Sequence, residues 1–280
     1  MSTKILIPTD FSELSKVAVF YAIELAQKLE GELIVVNVVN TEAPPMTRLG
    51  LHRLRAAFKN SAEKDMVLLI TEINKKYKHS NKVNITHKIL FGSSVSETIE
   101  RFAMHNNIDL VVTGTKGATG LKKVFLGSNA TSIINKSSVP VITVPELTKF
   151  KGLKNIVYAT NMLDLNEEIK IIFPFSKLFE AHIHVLHIMP PDSDQKNSPE
   201  KIADELKNTL NDMKIEFHSL ASENVSEGIE SFIAMINADM LVLFTHELNF
   251  YEKLLGKSVT REVALRTKIP MLIFNKSNFE

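Results

Sequence analysis

Gly114, Gly117 and Gly120 stand at three-residue intervals in VVTGTKGATGLKKVFLGSNATSII, and Gly127 arrives later with Ser128 directly behind it. Residues of these types serve anion binding. A glycine lets backbone N–H groups approach a phosphate without a Cβ in the way, and a serine at a helix start adds a hydroxyl to N–H groups that already favour negative charge. The spacing excludes two familiar phosphate loops. A Walker A loop needs glycine–lysine–serine at its end, and none follows Gly120; Gly256-Lys257-Ser258 supplies it later, but Tyr251 then occupies the first glycine position. The dinucleotide fingerprint belongs to the first strand–helix turn, which here reads PTDFS. The competing explanation is loop geometry alone, with the glycines as left-handed turn positions between a strand and a helix.

Other candidate groups are fewer. Pro8-Thr9-Asp10 and Thr113-Gly114-Thr115 are small polar exits from apolar runs, and Asp10 and Ser12 both suit the cap of a following helix. Lys122 and Lys123 read as a solvated loop. His182, His184 and His187 invite a metal. The first two share a strand face and the third points away, so with no third ligand in reach they fall short of a zinc site. The expectation is no metal. Spacing reveals no Ser-His-Asp set and no paired carboxylates, so the expectation is also no catalytic residue. Phosphoryl transfer needs a positioned cation and a water-orienting group, and the glycine loop supplies only donors.

The elements that must position these groups are written twice. VSETIERFAMHNNIDLVVTGTKG from Val95 echoes VSEGIESFIAMINADMLVLFTHE from Val225 at an offset of 130, and KILIPTDF from Lys4 echoes NIVYATNM from Asn155 at 151. The repeat implies a tandem duplication with its seam near Glu146 to Lys154. Periodicity predicts strands over Lys4–Pro8, Leu33–Val39, Val83–Leu90, Leu110–Thr113 and Pro140–Val144 in the first half. Helices are predicted over Ser12–Leu29, Met46–Tyr77, Val95–His105 and Asn129–Asn135. The second half repeats the order: strands over 156–160, 182–189, 214–220, 240–245 and 270–274, and helices over 166–179, 199–211, 225–236 and 258–267. Apolar strands alternating with helices imply parallel sheets covered on both faces. Each half is therefore expected to be a doubly wound α/β domain of five strands, with ligands beyond the carboxyl ends of the strands at the switch point.

Composition narrows the class. The 280 residues are 44% hydrophobic and 23% charged, with a net charge of +1 and no cysteine. Disulfides and thiolate metal sites are excluded, and no basic surplus points to nucleic acid or an anionic membrane. No run approaches the ~18 apolar residues of a spanning helix, and MSTKILIPTDFS does not read as a signal peptide. The expectation is a cytoplasmic protein.

Gly114-x-x-Gly117, nine residues and then Gly127-Ser128 resemble the G-2x-G-9x-G-[ST] nucleotide-binding motif of the universal stress protein family. KILIPTDFSELSKVAVFYAIELA is similar to that family's first strand and helix, and VVNVV to its second strand. Both halves share the resemblance, which implies two Rossmann-like, adenine nucleotide alpha-hydrolase-like domains over 1–147 and 153–280. It further implies an adenine-nucleotide site (ATP, ADP or AMP, with or without Mg²⁺) in the first. Pro8, Thr9 and Asp10 would lie against the adenosine and Val38 beside the adenine. Thr113, Gly114, Gly117, Gly127, Ser128 and Asn129 would hold ribose and phosphates. Lys116 replaces a residue that is often histidine or arginine in the family.

The second half departs from the motif. Phe244, Glu247 and Lys257 replace Gly114, Gly117 and Gly127, and Asn161 replaces Asp10, while Ser258 is retained. That half is not expected to bind nucleotide in the family manner. The function so implied is a nucleotide-binding sensor or regulator of the stress response with little or no turnover. The alternatives are a slow ATPase and a partner-binding module without nucleotide. Expected partners are the nucleotide, the other domain and a second copy in a homodimer, with no nucleic acid and no membrane.

Overall fold

The computed structural model describes residues 2–40, 47–78, 83–115, 127–191, 214–245 and 267–275. The chain divides into two units, Met1–Phe150 and Lys151–Glu280. In the first, β1 (Lys4–Pro8) is the pivot. Ile5, Leu6 and Ile7 are wholly shielded from solvent, as a parallel strand covered on both faces requires. β1 pairs with β2 (Glu32–Asn40) on one side and β4 (Leu110–Gly114) on the other. β3 (Asn84–Gly92) lies beyond β2 and β5 (Val141–Val144) beyond β4, in the order β3-β2-β1-β4-β5 with every pairing parallel. The chain thus winds away from β1 in both directions, which opens a crevice past the carboxyl ends of β1 and β4.

Among the described residues four helices serve this sheet. α1 (Glu13–Leu29) starts where Ser12 Oγ accepts the N–H of Ser15 at 3.2 Å. It ends where Glu30 takes a left-handed φ of 50°. Gly31 follows because a Cβ there would lie 2.7 Å from the carbonyl oxygen of Thr3. α2 (Arg48–Lys76) buries a single stripe, Ala62, Met66, Leu69 and Ile73, at the spacing of one helical face. Its end is held to α1: the Tyr77 hydroxyl donates to Glu24 Oε1 at 3.0 Å, and Lys76 sits 3.8 Å above the Phe20 ring. α3 (Val95–Asn106) and α4 (Ser128–Lys136) complete the unit.

The second unit contains β6 (Asn155–Ala159), α5 (Leu165–Leu178), β7 (His182–Met189), β8 (Ile215–Ala221), α6 (Val225–Ile236), β9 (Met240–Thr245) and β10 (Met271–Asn275). Its parallel order is β10-β9-β6-β7-β8, with β6 in the place of β1. The helix expected over 199–211, and all but Thr267 of the helix expected over 258–267, lie outside the described residues. The doubly wound α/β architecture expected from the sequence is the one observed. Among the described residues no helix is long and apolar enough to cross a membrane.

The repeated residues have structural duties. Ser94 and Asn224 cap α3 and α6, accepting the N–H of Glu97 at 3.4 Å and those of Ser226 and Glu227 at 2.9 and 3.2 Å. Asn107 and Asn237 close the same helices in left-handed conformations, with φ of 50° and 51°. Asp109 Oδ2 accepts the Lys4 N–H at 2.8 Å, and Asp239 Oδ2 accepts those of Lys154 and Asn155 at 2.7 and 3.0 Å.

One contact is conserved in sum but not in place. In the first unit Gly92 faces Thr98, and a Cβ on Gly92 would come 1.9 Å from Thr98 Oγ1. At the offset of 130 these positions are Ser222 and Gly228, and a Cβ on Gly228 would lie 3.1 Å from Ser222 Cβ and 3.0 Å from Ile188 Cδ1. Each unit keeps one glycine in the pair, on opposite sides. Gly228→Thr is expected to destabilise the protein by about 1–3 kcal/mol through overpacking. Adding Ser222→Gly and Ile188→Val, which reproduces the first unit's trio with Val38, is expected to recover most of that loss in urea unfolding. A triple variant no better than the single one refutes the reciprocal packing.

Candidate functional site

The exit of β1 is folded into a tight turn by its own side chains. Thr9 is buried, and its N–H extends the sheet by bonding the Val36 carbonyl at 2.8 Å. Thr9 Oγ1 accepts the N–H of Phe11 at 3.0 Å and lies 2.9 Å from Ser15 Oγ. This fixes Phe11 at a left-handed φ of 64°, a conformation uncommon outside glycine. Asp10 Oδ1 accepts the N–H and hydroxyl of Ser12 at 3.1 and 2.5 Å. Asp10 therefore shapes the turn, and the helix cap expected as one of its roles belongs to Ser12. From β2, Asn37 Nδ2 donates to the Thr9 carbonyl at 2.8 Å.

The opposite lip is the exit of β4. Thr115 N–H bonds the Val144 carbonyl at 3.1 Å, and Gly127 N–H bonds the Thr115 carbonyl at 2.6 Å. The two ends of segment 116–126 are thereby tied together, and α4 starts at the crevice. Gly127 takes the N-cap position with φ −58° and ψ 147°, and no side chain caps this terminus. The first-turn N–H groups of a helix have no partner within it and favour an anion.

Between the lips lies a cleft of about 270 Å³. It is lined by Pro8, Thr9, Asp10, Val38, Thr113, Gly114, Gly127, Ser128 and Asn129, nine residues singled out by the sequence. Gly117, the tenth, lies outside the described residues, as do Lys116, Gly120, Lys122 and Lys123. Sequence reasoning missed Ser15, Asn37, Val95, Ala130 and Ile133, which also line the cleft. Asn37 had a signal, since a lone amide interrupts the aliphatic run VVNVV; the other four read as ordinary helix residues. Asp10, Ser128 and Asn129 are exposed at the rim, while Thr9 and Thr113 are buried at the base.

The second unit keeps the turn and changes the cleft. Thr160 Oγ1 accepts the Met162 N–H at 2.9 Å, Asn161 Oδ1 accepts the Leu163 N–H at 3.1 Å, and Met162 has φ 71°. An amide oxygen thus shapes the turn as well as a carboxylate does. His187 Nδ1 lies 2.9 Å from the Thr160 carbonyl, in the manner of Asn37. Phe244, in the position of Gly114, stacks on Phe274 with centroids 4.8 Å apart and meets the Tyr158 ring edge-on at 5.8 Å. A cavity of about 340 Å³ remains, lined in part by Thr160, Asn161, His187 and Phe244.

The buried positions of α1 (Ser15, Ala18, Val19, Ala22 and Ala26) recur in α5 at an offset of 150 as Leu165, Glu168, Ile169, Ile172 and Ser176. Ala18 has become Glu168, hydrogen-bonded to the Tyr158 hydroxyl in the cavity wall. Burial first, and then that carboxylate, push the Tyr158 hydroxyl well above its ordinary pKa. Glu247, Lys257 and Ser258 lie outside the described residues.

A family model described as the universal stress protein family matches residues 1–145 and again 153–275. The universal stress protein MJ0531 of Methanocaldococcus jannaschii is 31% identical over 146 residues, covering 52% of this chain and 84% of its own. The same organism's universal stress protein MJ0577 is 27% identical over 157 residues, covering 51% of this chain and 95% of its own. A crystal structure of a universal stress protein from Archaeoglobus fulgidus superposes with a TM-score of 0.72 over 98% of this chain and 97% of that one, at 19% identity. Matched twice by one family model and wound twice into one fold, the chain belongs to the universal stress protein family as a tandem of two such domains.

Proposed function

We propose that the first unit binds an adenine nucleotide, ATP or its di- or monophosphate, and that the protein acts as a nucleotide-dependent stress regulator with little or no turnover. The observation that carries this reading is the convergence on one cleft of nine residues that the glycine-spacing motif and the family resemblance together single out, from β1 and its exit, β2, β4 and the start of α4. The phosphates belong at Gly127, Ser128 and Asn129, where first-turn N–H groups and a hydroxyl offer donors and a helix dipole favours negative charge. The nucleoside belongs between the Thr9–Asp10 turn and Val38. In this reading the Asp10 carboxylate, at the rim of the cleft, would accept from ribose or base. Mg²⁺, when bound with the phosphates, would offset their charge.

The same reasoning removes the second unit from this role. Phe244 puts an aromatic ring where Gly114 leaves backbone open, and the cavity wall carries the Glu168 side chain where the first unit has Ala18.

Isothermal titration of the full chain with ATP is expected to give about one site per chain. Gly114→Phe, which imports the second unit's residue, is expected to weaken binding by at least about tenfold, or ~1.4 kcal/mol. No heat at millimolar nucleotide refutes nucleotide binding, and unchanged affinity in Gly114→Phe refutes the placement.

Phosphate release from ATP is expected to stay at background, because the one carboxylate among the described lining residues, Asp10, is assigned to the nucleoside and not to a cation or an attacking water. Steady release abolished by Ser128→Ala would instead make the protein a slow ATPase.

A further inference from the structure

We propose that His184, Glu216 and His218 form a binding site for a divalent cation of the zinc type in the second unit. The three residues come together through sheet register. β7 and β8 run parallel with His184 opposite Glu216 and Leu186 opposite His218, and side chains two apart on a strand share a face. The sequence alone suggests His182, His184 and His187 and finds no third ligand for the same-face pair; in the structure the neighbouring strand brings Glu216 and His218 to His184, and His182 takes no part.

The distances suit one ion. His184 Nδ1 lies 3.1 Å from His218 Nε2, and Glu216 Oε2 lies 3.7 Å from each of those nitrogens. The point equidistant from the corners of such a triangle is about 2.0 Å from each, the bond length of zinc to imidazole nitrogen and carboxylate oxygen. Two imidazoles and a carboxylate are a donor set that zinc favours, and three protein ligands leave a position for water.

The surroundings prepare the ligands. His184 Nε2 is 3.4 Å from Asn155 Oδ1. Donation there places the proton on Nε2 and leaves the Nδ1 lone pair facing the triangle, as partners behind metal-binding histidines do. Asn155 is itself held, its Nδ2 donating to the Ile236 carbonyl at 3.3 Å. The Phe232 ring packs against both imidazoles, with centroids 6.3 Å from His184 and 4.7 Å from His218. Side-chain exposure rises from 9% at His184 through 28% at His218 to 55% at Glu216, which gives a buried anchor and an open rim through which an ion can enter.

None of these residues lines the first unit's cleft, so the site stands or falls independently of nucleotide binding. The test uses the tag-free full chain, without nucleotide, dialysed against Zn²⁺ and assayed by elemental analysis. About one zinc per chain is expected. Co²⁺ in its place should give the visible absorption of a four-coordinate ion. His218→Gln and Glu216→Gln change partly exposed side chains and should keep the far-ultraviolet dichroism of the parent. Each is expected to weaken zinc binding by at least about tenfold and to abolish the rise in melting temperature that zinc confers on the parent. His105→Gln, an exposed histidine in the first unit, is expected to change neither. Absence of retained zinc overturns the proposal. So does zinc binding that survives His218→Gln unchanged, which would leave the pair as a His–His hydrogen bond beside a surface glutamate.

Discussion

The polar cleft of the first unit depends on an apolar strand that contributes nothing polar itself. Ile5, Leu6 and Ile7 are shielded on both faces, so β1 must lie mid-sheet with neighbours on each side. The next strands in sequence can only be added to one flank and then the other. That two-way winding is what separates the exits of β1 and β4 and leaves a gap at the sheet's carboxyl edge. Small polar side chains then finish the geometry: Thr9, Asp10 and Asn37 hold one lip, and the Gly127–Thr115 bond holds the other. The hydrophobic effect chooses where the cleft is, and a few hydrogen bonds choose its shape.

Much of this was legible in the chain because the relevant signals are local. Apolar runs, caps and terminal asparagines are read from neighbouring residues, and the observed strands and helices fall within a few residues of expectation. α4 extends one residue beyond its expected range at each end, to Ser128 and Lys136. What escaped was nonlocal. Ala130 and Ile133 reach the cleft only because α4 begins at its edge, and no spacing in the sequence announces that. The histidines teach the same lesson. His184 meets Glu216 and His218 across a parallel register, which depends on how β7 and β8 align, and a search along one strand cannot find it.

The two halves also separate architecture from chemistry. Residues that recur, such as Asp109 and Asp239 or Asn107 and Asn237, cap, close and tie elements together. Several residues that differ lie at or beneath the cleft. Where the first unit has Ile7 and Ala18, the second has Tyr158 and Glu168, a hydrogen-bonded polar pair inside the core. Where the first has Gly114, the second has an aromatic stack. The second unit thus has a different cleft on the same strand order, and whatever its cavity accepts must tolerate the Glu168 side chain and an aromatic wall.

The reciprocal glycines limit what the two halves can exchange. Equivalent positions hold Gly92 with Thr98 in one copy and Ser222 with Gly228 in the other. Between those states lie two single-step routes. One passes through a pair with a side chain on both positions, whose atoms would overlap. The other passes through two glycines, which leaves a small void and costs roughly 1 kcal/mol of helix propensity. Close packing makes the first route a barrier and the second a ford. A stepwise conversion of one pair into the other therefore passes through the double glycine. Each copy is now committed to its own half of the exchange, so α3 and α6 are no longer interchangeable parts despite their shared opening, VSE.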